Sequence, residues 1–428
     1  MAAENLVVLG LGVTGDAVVR RLSAEGAAVT VLEDAPALGD AVYDERATRA
    51  RAKGVELVEA PTDEQVTSLV RGADLLVVSP GVPARHHAIA TAIAGGVPVR
   101  GEVDLAAERL TAPLVAVTGT NGKTTVTTLI TAMLVESGVA AVAAGNIGTP
   151  LLDVVDRPAD VVVAEVSSFQ LVFTTSAFRP RVAVLLNVAE DHLDWHGSFE
   201  EYAAAKARVF AHQTPNDLLV FDALDEVAAR LAADAPSRAW AVAAAETGDV
   251  NEAAAARAAQ EMGASHEGVF RAVEKFEGLP HRRTLVGEAR GVRWYDDSKA
   301  TNPHATLRAV EASDAPVVLI AGGRNKGLDL GALASLAPRL RGVVAIGESA
   351  AEIVSAFADS GVEVVPASSM RDAVTAAAAR ARAGDAVLLS PACASFDWYR
   401  SYEERGDDFA REVTRIERVA NSGLGGRP

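Results

Sequence analysis

Short apolar runs recur along the chain and alternate with longer Ala-rich amphipathic stretches. Leu6–Leu9, Val29–Leu32 and Leu75–Val78 form a first set, and Leu114–Val117, Val161–Ala164 and Val182–Leu186 a second. Val317–Ile320, Gly342–Ile346 and Ala386–Leu389 form a third. A run of four or five apolar residues suits a strand buried on both faces, and intervening helices carry the chain back for a parallel neighbour. The pattern predicts an α/β protein of βαβ units in three domains, over 1–110, 111–281 and 282–428. Between Asp222 and Ala264 the chain is mostly Ala and polar residues, which predicts helices and connections with little strand. The Gly-rich tail from Asn421 to Pro428 is expected to fray.

Composition narrows the partners. Of 428 residues, 49% are hydrophobic and 23% charged, enough to bury large cores without disulfides, and Cys393 is the sole cysteine. A formal charge of −17 with no long Lys/Arg run argues against nucleic acid. Anionic ligands must therefore meet individually placed cations and backbone donors. No apolar stretch approaches the roughly 18 residues of a spanning helix, and the first residues lack a basic leader, so a cytoplasmic protein without stable membrane insertion is expected.

The sharpest chemical signal is Gly119-Thr120-Asn121-Gly122-Lys123-Thr124-Thr125, between an apolar run and a helical segment. Glycines let backbone N–H groups turn onto phosphates, Lys123 brings a point charge and Thr124 a hydroxyl for Mg²⁺. The spacing is two residues shorter than G-x-x-x-x-G-K-[ST], whose first glycine position is held by Val117. Glu165 ends the run Val161–Ala164, where open α/β sheets place ligands. Alone it reads equally well as a surface acid, but Asn187, Glu190, Asp191 and His192 close the next run and favour a metal-binding edge. Mg²⁺ normally prefers oxygen to the imidazole of His192. Ser198-Phe199-Glu200-Glu201 predicts a helix start that carries Lys206 two turns in, a position that reads as a solvated lysine in most proteins.

Near the N-terminus, Gly10-Leu11-Gly12-Val13-Thr14-Gly15 follows the first run and Glu33 ends the next, which read alone suggests NAD. The same turn can hold any diphosphate, and Ser79-Pro80-Gly81 would face the same crevice. In the last third, Pro280-His281-Arg282-Arg283, Asp296–Pro303, Ala321–Gly327 and Ser390–Asp397 lie beside predicted strands and suggest a face of anion-binding groups. Cys393 reads as a small packed thiol rather than a nucleophile.

The series G-L-G-V-T-G, G-T-N-G-K-T-T, E-V-S-S-F-Q, L-N-V-A-E-D-H-L-D, L-P-H-R, D-D-S-K-A-T-N-P, A-G-G-R-N-K-G and L-S-P-A-C-A-S-F-D, in that order, resembles the Mur ligases over nearly the whole chain. The resemblance implies an N-terminal Rossmann-like domain for a uridine nucleotide, a central P-loop ATPase and a C-terminal Rossmann-like domain for an amino acid. It replaces NAD with uridine diphosphate, implying contacts from Gly10, Val13, Thr14, Asp34, Ser79 and Gly81, and from Asn146, Ser167 and Gln170 to the rest of that substrate. It implies catalytic roles for Lys123, Glu165, His192 and Lys206, with Lys206 as a carbamate that joins Thr124, Glu165 and His192 around Mg²⁺. ATP would be held by Gly119, Thr120, Asn121, Gly122, Lys123, Thr124, Thr125, Asn251, Arg282 and Asp297. Lys299, Thr301, Lys326, Ser395, Phe396 and Tyr402 would take glutamate, with Lys326 on one carboxylate. The implied reaction joins D-glutamate to UDP-N-acetylmuramoyl-L-alanine through an acyl phosphate, in a monomer. A ligase for another amino acid such as L-glutamate, and a non-catalytic nucleotide-binding relative, are the alternatives. The resemblance lapses between Phe221 and Met262, where the family's G-x-H-N-x-x-N survives only as Gly248-Asp249-Val250-Asn251.

Overall fold

The computed structural model describes residues 4–37, 39–243 and 249–422. Contacts divide the chain into two compact units. One runs to Val188 and resumes over Trp195–Phe276; the other joins Ala189–Asp194 to everything from Glu277 onward.

In the first unit, β1 (Asn5–Leu9), β2 (Ala28–Glu33), β3 (Glu56–Glu59), β4 (Leu75–Val78) and β5 (Val99–Gly101) form a parallel sheet in the order β3-β2-β1-β4-β5. A second parallel sheet follows the order β11-β10-β9-β6-β8-β7. Its strands are β6 (Leu114–Thr118), β7 (Ala141–Gly145), β8 (Val161–Glu165), β9 (Val182–Leu185), β10 (Leu218–Asp222) and β11 (Arg238–Val242). Side chains of both sheets, Leu6, Val8 and Val31 with Ala116, Val162 and Leu185, join one buried apolar cluster, so burial of β-branched and aliphatic residues holds this unit together. Between Asp222 and Ala264 the described residues form the helices Glu226–Ala232 and Val250–Glu261, as expected, with one short strand, β11. It pairs with β10 alone and exposes four of its five residues, so neither burial nor alternation marks it.

The second unit contains β12 (Thr284–Ala289), β13 (Val292–Asp296), β14 (Val317–Gly322), β15 (Leu340–Ile346), β16 (Val364–Pro366) and β17 (Ala386–Leu389). Their order is β12-β13-β17-β14-β15-β16, parallel except for the β12–β13 hairpin. Arg290 and Gly291 turn that hairpin at φ 55° and 73°. Gly248 and residues 423–428, most of the tail expected to fray, lie outside the described residues; Asn421 and Ser422 end the helix Tyr402–Ser422.

Candidate active site

Strand β6 ends at Thr118, and the phosphate loop follows it into the helix Lys123–Glu136. Gly122 caps this helix at φ 86°, a left-handed conformation natural to glycine, and a Cβ there would stand 2.5 Å from Asn251 Oδ1. Asn251, at the start of the helix Val250–Glu261, therefore abuts the loop. Asn187 braces the turn: its carbonyl accepts from Thr120 N (2.7 Å) and its Oδ1 from Asn121 N (2.9 Å).

Two lysines converge on the same carbonyl. Lys123 Nζ donates to Gly119 O (2.9 Å) and Thr120 O (3.0 Å), and Lys206 Nζ donates to Gly119 O (2.7 Å). Lys206 is 1% exposed, which overturns the solvated-lysine alternative. Ser198 caps the helix Phe199–Ala207 through Glu201 N, and the next turn brings Tyr202 under the ammonium, 4.4 Å from the ring centre. The Tyr202 hydroxyl hydrogen-bonds Thr120 Oγ1 at 2.9 Å, tying this helix to the loop.

Glu165 closes β8 and is buried. Its Oε1 accepts from Asn146 Nδ2 (2.9 Å), while Oε2 is buried without a hydrogen-bond partner. Ser167 and Gln170, next along the chain, form a reciprocal capping box on the helix Ser168–Val172.

A cavity of about 600 Å³ opens at the C-terminal ends of β1, β2 and β4. Its wall brings together Gly10, Val13, Thr14, Asp34, Ser79, Gly81 and Asn146; Ser167 and Gln170 are not on it. Gly15 is indispensable to this turn, since a Cβ would fall 2.0 Å from Gly10 O. Glu33 does not reach out for a ribose: its carboxylate accepts from Leu11 N at 2.7 Å. Behind Asp34 stands His86. Its Nδ1 accepts from Ala88 N (3.1 Å), which leaves Nε2 to carry the proton toward Asp34 Oδ2 (2.6 Å).

In the second unit, Asp191 is held by Lys326 and by Asn302 Nδ2 (3.0 Å). Burial pushes its carboxyl up, but the Lys326 and His192 charges and the two hydrogen bonds outweigh this, leaving its pKa lowered. Lys326 thus already has a carboxylate partner within the chain. His192 follows at φ 53°, a rare conformation for a residue with a Cβ. Lys299 Nζ lies 4.8 Å from the Tyr402 ring centre, and His281 packs edge-on against the same ring. The backbones of Arg324 and Ala394 exchange hydrogen bonds at 2.9 and 3.0 Å, setting the Lys326 loop beside buried Ser395. Phe396 is exposed and Thr301 half-buried, so the expected glutamate residues are only partly gathered.

Burial raises the Asp297 carboxyl to about 7, against hydrogen bonds from Ser390 Oγ (2.8 Å) and Arg283 N (3.2 Å) and the charge of Arg282. Cys393 is buried beside Ser349 and its thiol is pushed up to about 11, as a packed residue requires. Sequence reasoning missed Asn187 as the brace, along with Tyr202, His86 and Arg405. Arg405 is 1% exposed and donates to Ser298 O (2.7 Å), Ser298 Oγ (2.9 Å) and Cys393 O (3.1 Å). An arginine inside an apparently surface helix gives no local signal of this.

A phosphate loop on a parallel sheet, followed by a second α/β unit rich in cations at its strand ends, defines a nucleotide-dependent ligase fold. The Mur ligase middle domain matches residues 117–288, the Mur ligase glutamate ligase domain 281–393 and the MurD-like N-terminal domain 4–101. The chain belongs to the Mur ligase family. It is 39% identical to UDP-N-acetylmuramoylalanine–D-glutamate ligase of Desulfatibacillum aliphaticivorans over 97% of this chain and 99% of that one. Its identity to the protein of that name from Pelotomaculum thermopropionicum is 41%, over 97% and 98%. The crystal structure of UDP-N-acetylmuramate–alanine ligase from Thermotoga maritima shares the fold, with TM-score 0.55, 17% identity and coverage of 98% and 100%.

Proposed function

We propose that this chain is an ADP-forming ligase that joins D-glutamate to UDP-N-acetylmuramoyl-L-alanine in peptidoglycan precursor synthesis. The observation that carries the chemistry is the convergence of Lys123 and Lys206 on Gly119 O, in the same unit as a buried Glu165. The names of the relatives supply the substrates.

A free carboxylate is a poor electrophile, and transfer of a phosphoryl group from ATP gives it a leaving group. Lys123 and the loop N–H groups offset the charge of the phosphates, with Arg282 as a second cation, because positioning and electrostatics supply most of the catalysis in phosphoryl transfer. The glutamate amine then displaces phosphate to form the amide. Lys299, Thr301, Lys326, Ser395, Phe396 and Tyr402 would orient the amino acid, and Arg282, Asp297 and Asn251 would serve ATP. For Lys326 to take a substrate carboxylate it must exchange Asp191 for it.

The residues present fit Mg²⁺. A buried carboxylate oxygen without a partner, as at Glu165 Oε2, is satisfied by a cation, and Thr124 adds a buried hydroxyl. Two ammonium groups on one carbonyl oxygen repel each other. A carbamate on Lys206 replaces that repulsion with attraction and supplies a further oxygen ligand. Bound Mg²⁺ would neutralise phosphate charge, with His192 as the remaining ligand of the assigned set. Among the described residues no three His, Cys, Asp or Glu side chains converge, so water and phosphate oxygens would complete the shell. We assign the three family segments to the domains 1–110, 111–281 and 282–428, and the protein to the cytoplasm as a monomer. No helix among the described residues is long and apolar enough to cross a membrane.

The deciding experiment measures phosphate release by the purified full-length chain with ATP, Mg²⁺ and UDP-N-acetylmuramoyl-L-alanine, comparing D-glutamate, L-glutamate and no amino acid, with the product weighed by mass spectrometry. Release and product that depend on D-glutamate are expected. Dependence on L-glutamate, or binding without turnover, overturns the assignment.

A further inference from the structure

We propose that Arg46 is the side chain that receives the diphosphate charge of the uridine substrate; the inference rests on reading the first-sheet cavity as the nucleotide site. Glu33, Asp34 and Asp40 line that cavity, and Arg46 is the one lysine or arginine among its described lining residues. A doubly charged ligand entering such a wall needs a counter-charge, in a chain that carries 17 excess negative charges overall.

The partners of the neighbouring residues single Arg46 out. On the same helix, Ala41–Ala52, Arg49 is bound by Asp16 (3.0 Å) and Glu45 (3.1 Å), and Arg51 by Glu59 (2.7 Å). Arg46 forms no ion pair or hydrogen bond with any described residue. Each acid of the cavity has one oxygen bonded to a group other than Arg46. Glu33 accepts from Leu11 N, Asp40 caps the helix through Val42 N (2.9 Å) and Tyr43 N (3.1 Å), and Asp34 accepts from His86. A half-buried guanidinium with no ion pair among the described residues, beside three acids that each bond another group through one oxygen, is poised for an anion from outside the chain.

The cavity also holds the second half of an anion clamp. Gly12, Val13 and Thr14 lie on its wall, and the helix Val13–Ala24 that begins there has no side-chain cap. Its first N–H groups and positive dipole end are therefore open to phosphate. Fixed backbone donors and a charged planar fork together recognise a diphosphate, and neither distinguishes the base. Arg46 accordingly contributes to preference for UDP over uridine, while base recognition falls to other residues.

The test is calorimetric titration of the full-length protein and of Arg46→Gln, each with UDP and with uridine, alongside steady-state KM values. Glutamine keeps most of the length and some donors but removes the charge. UDP should bind R46Q about tenfold to a hundredfold more weakly than wild type, as expected for loss of a charge-assisted pair, with uridine affinity unchanged. The KM for the uridine substrate should rise by the same factor while that for ATP stays put. Equal UDP affinity in the two proteins overturns the role of Arg46 alone. A wild-type protein that binds neither UDP nor uridine overturns the nucleotide reading of the cavity, and Arg46 with it.

Discussion

At the level of single residues, the phosphate loop is legible because its chemistry demands glycine at positions no other residue can hold. Gly122 shows why: its φ of 86° and the nearby Asn251 leave no room for a Cβ. Lys206 is the contrary case. Its own neighbourhood in sequence is that of an exposed helix lysine, and only the fold reveals that it is 1% exposed and shares Gly119 O with Lys123. The unpartnered oxygen of Glu165 is equally invisible in sequence, because it depends on Asn146 having engaged the other one. Lys206→Gln roughly preserves volume and can donate to Gly119 O, but it can carry neither the charge nor a carbamate. The variant should keep its melting temperature within a few degrees and lose about a hundredfold to a thousandfold in phosphate release, the scale of deleting one transition-state stabilising group. Wild-type turnover in the folded variant would refute the role given to Lys206.

Among the elements, strands buried on both faces announce themselves through apolar runs, whereas the edge does not. Strand β11, Arg238-Ala239-Trp240-Ala241-Val242, is mostly exposed and exists because β10 offers it a free edge. The β12–β13 hairpin also departs from a βαβ rhythm, since its Arg290-Gly291 turn reverses the chain without a helix. The helix His87–Gly95 escapes notice for another reason: its N-cap is His86, outside the usual Ser, Thr, Asp and Asn set. This cap does two jobs, accepting from Ala88 N through Nδ1 and steadying Asp34 through Nε2. Asparagine can perform the first but is too short for the second. His86→Asn should therefore melt within a few degrees of wild type yet show a several-fold higher KM for the uridine substrate. His86→Ala should show the same KM and lose a further ~1 kcal/mol of stability. An unchanged KM in His86→Asn would mean that Asp34 needs no support.

For the whole molecule, the order of motifs indicates three sheets, but long-range association is not written locally. Asp191 sits between motifs of the central segment, yet Lys326 and Asn302 hold it in the second unit. Buried charge has the same non-local origin, and it governs how stability depends on pH. Glu102 begins the helix Glu102–Arg109 and accepts from Leu152 N at 2.6 Å, while its Oε2 is buried without a partner. Burial raises its carboxyl to about 7, and Asp297 in the second unit is raised by burial to the same value. Both folded values lie above the unfolded ones, so the folded chain binds protons more tightly and the stability from these groups is complete in acid and lost as pH rises through about 7. Glu25 has the opposite sign. The Arg109 hydrogen bond leads in lowering it to about 2, so its contribution persists throughout the neutral range and disappears only in strong acid. Between about pH 5.5 and 8.5 the wild-type protein should therefore lose roughly 1–2 kcal/mol through Glu102 alone. Glu102→Gln keeps an acceptor for Leu152 N and removes the ionisation. In urea titrations across this range its stability should fall less steeply than that of wild type, and the variant should be the more stable protein at the alkaline end. Parallel profiles would show that Glu102 ionises freely in the folded state, either because water reaches Oε2 or because the helix moves to meet it.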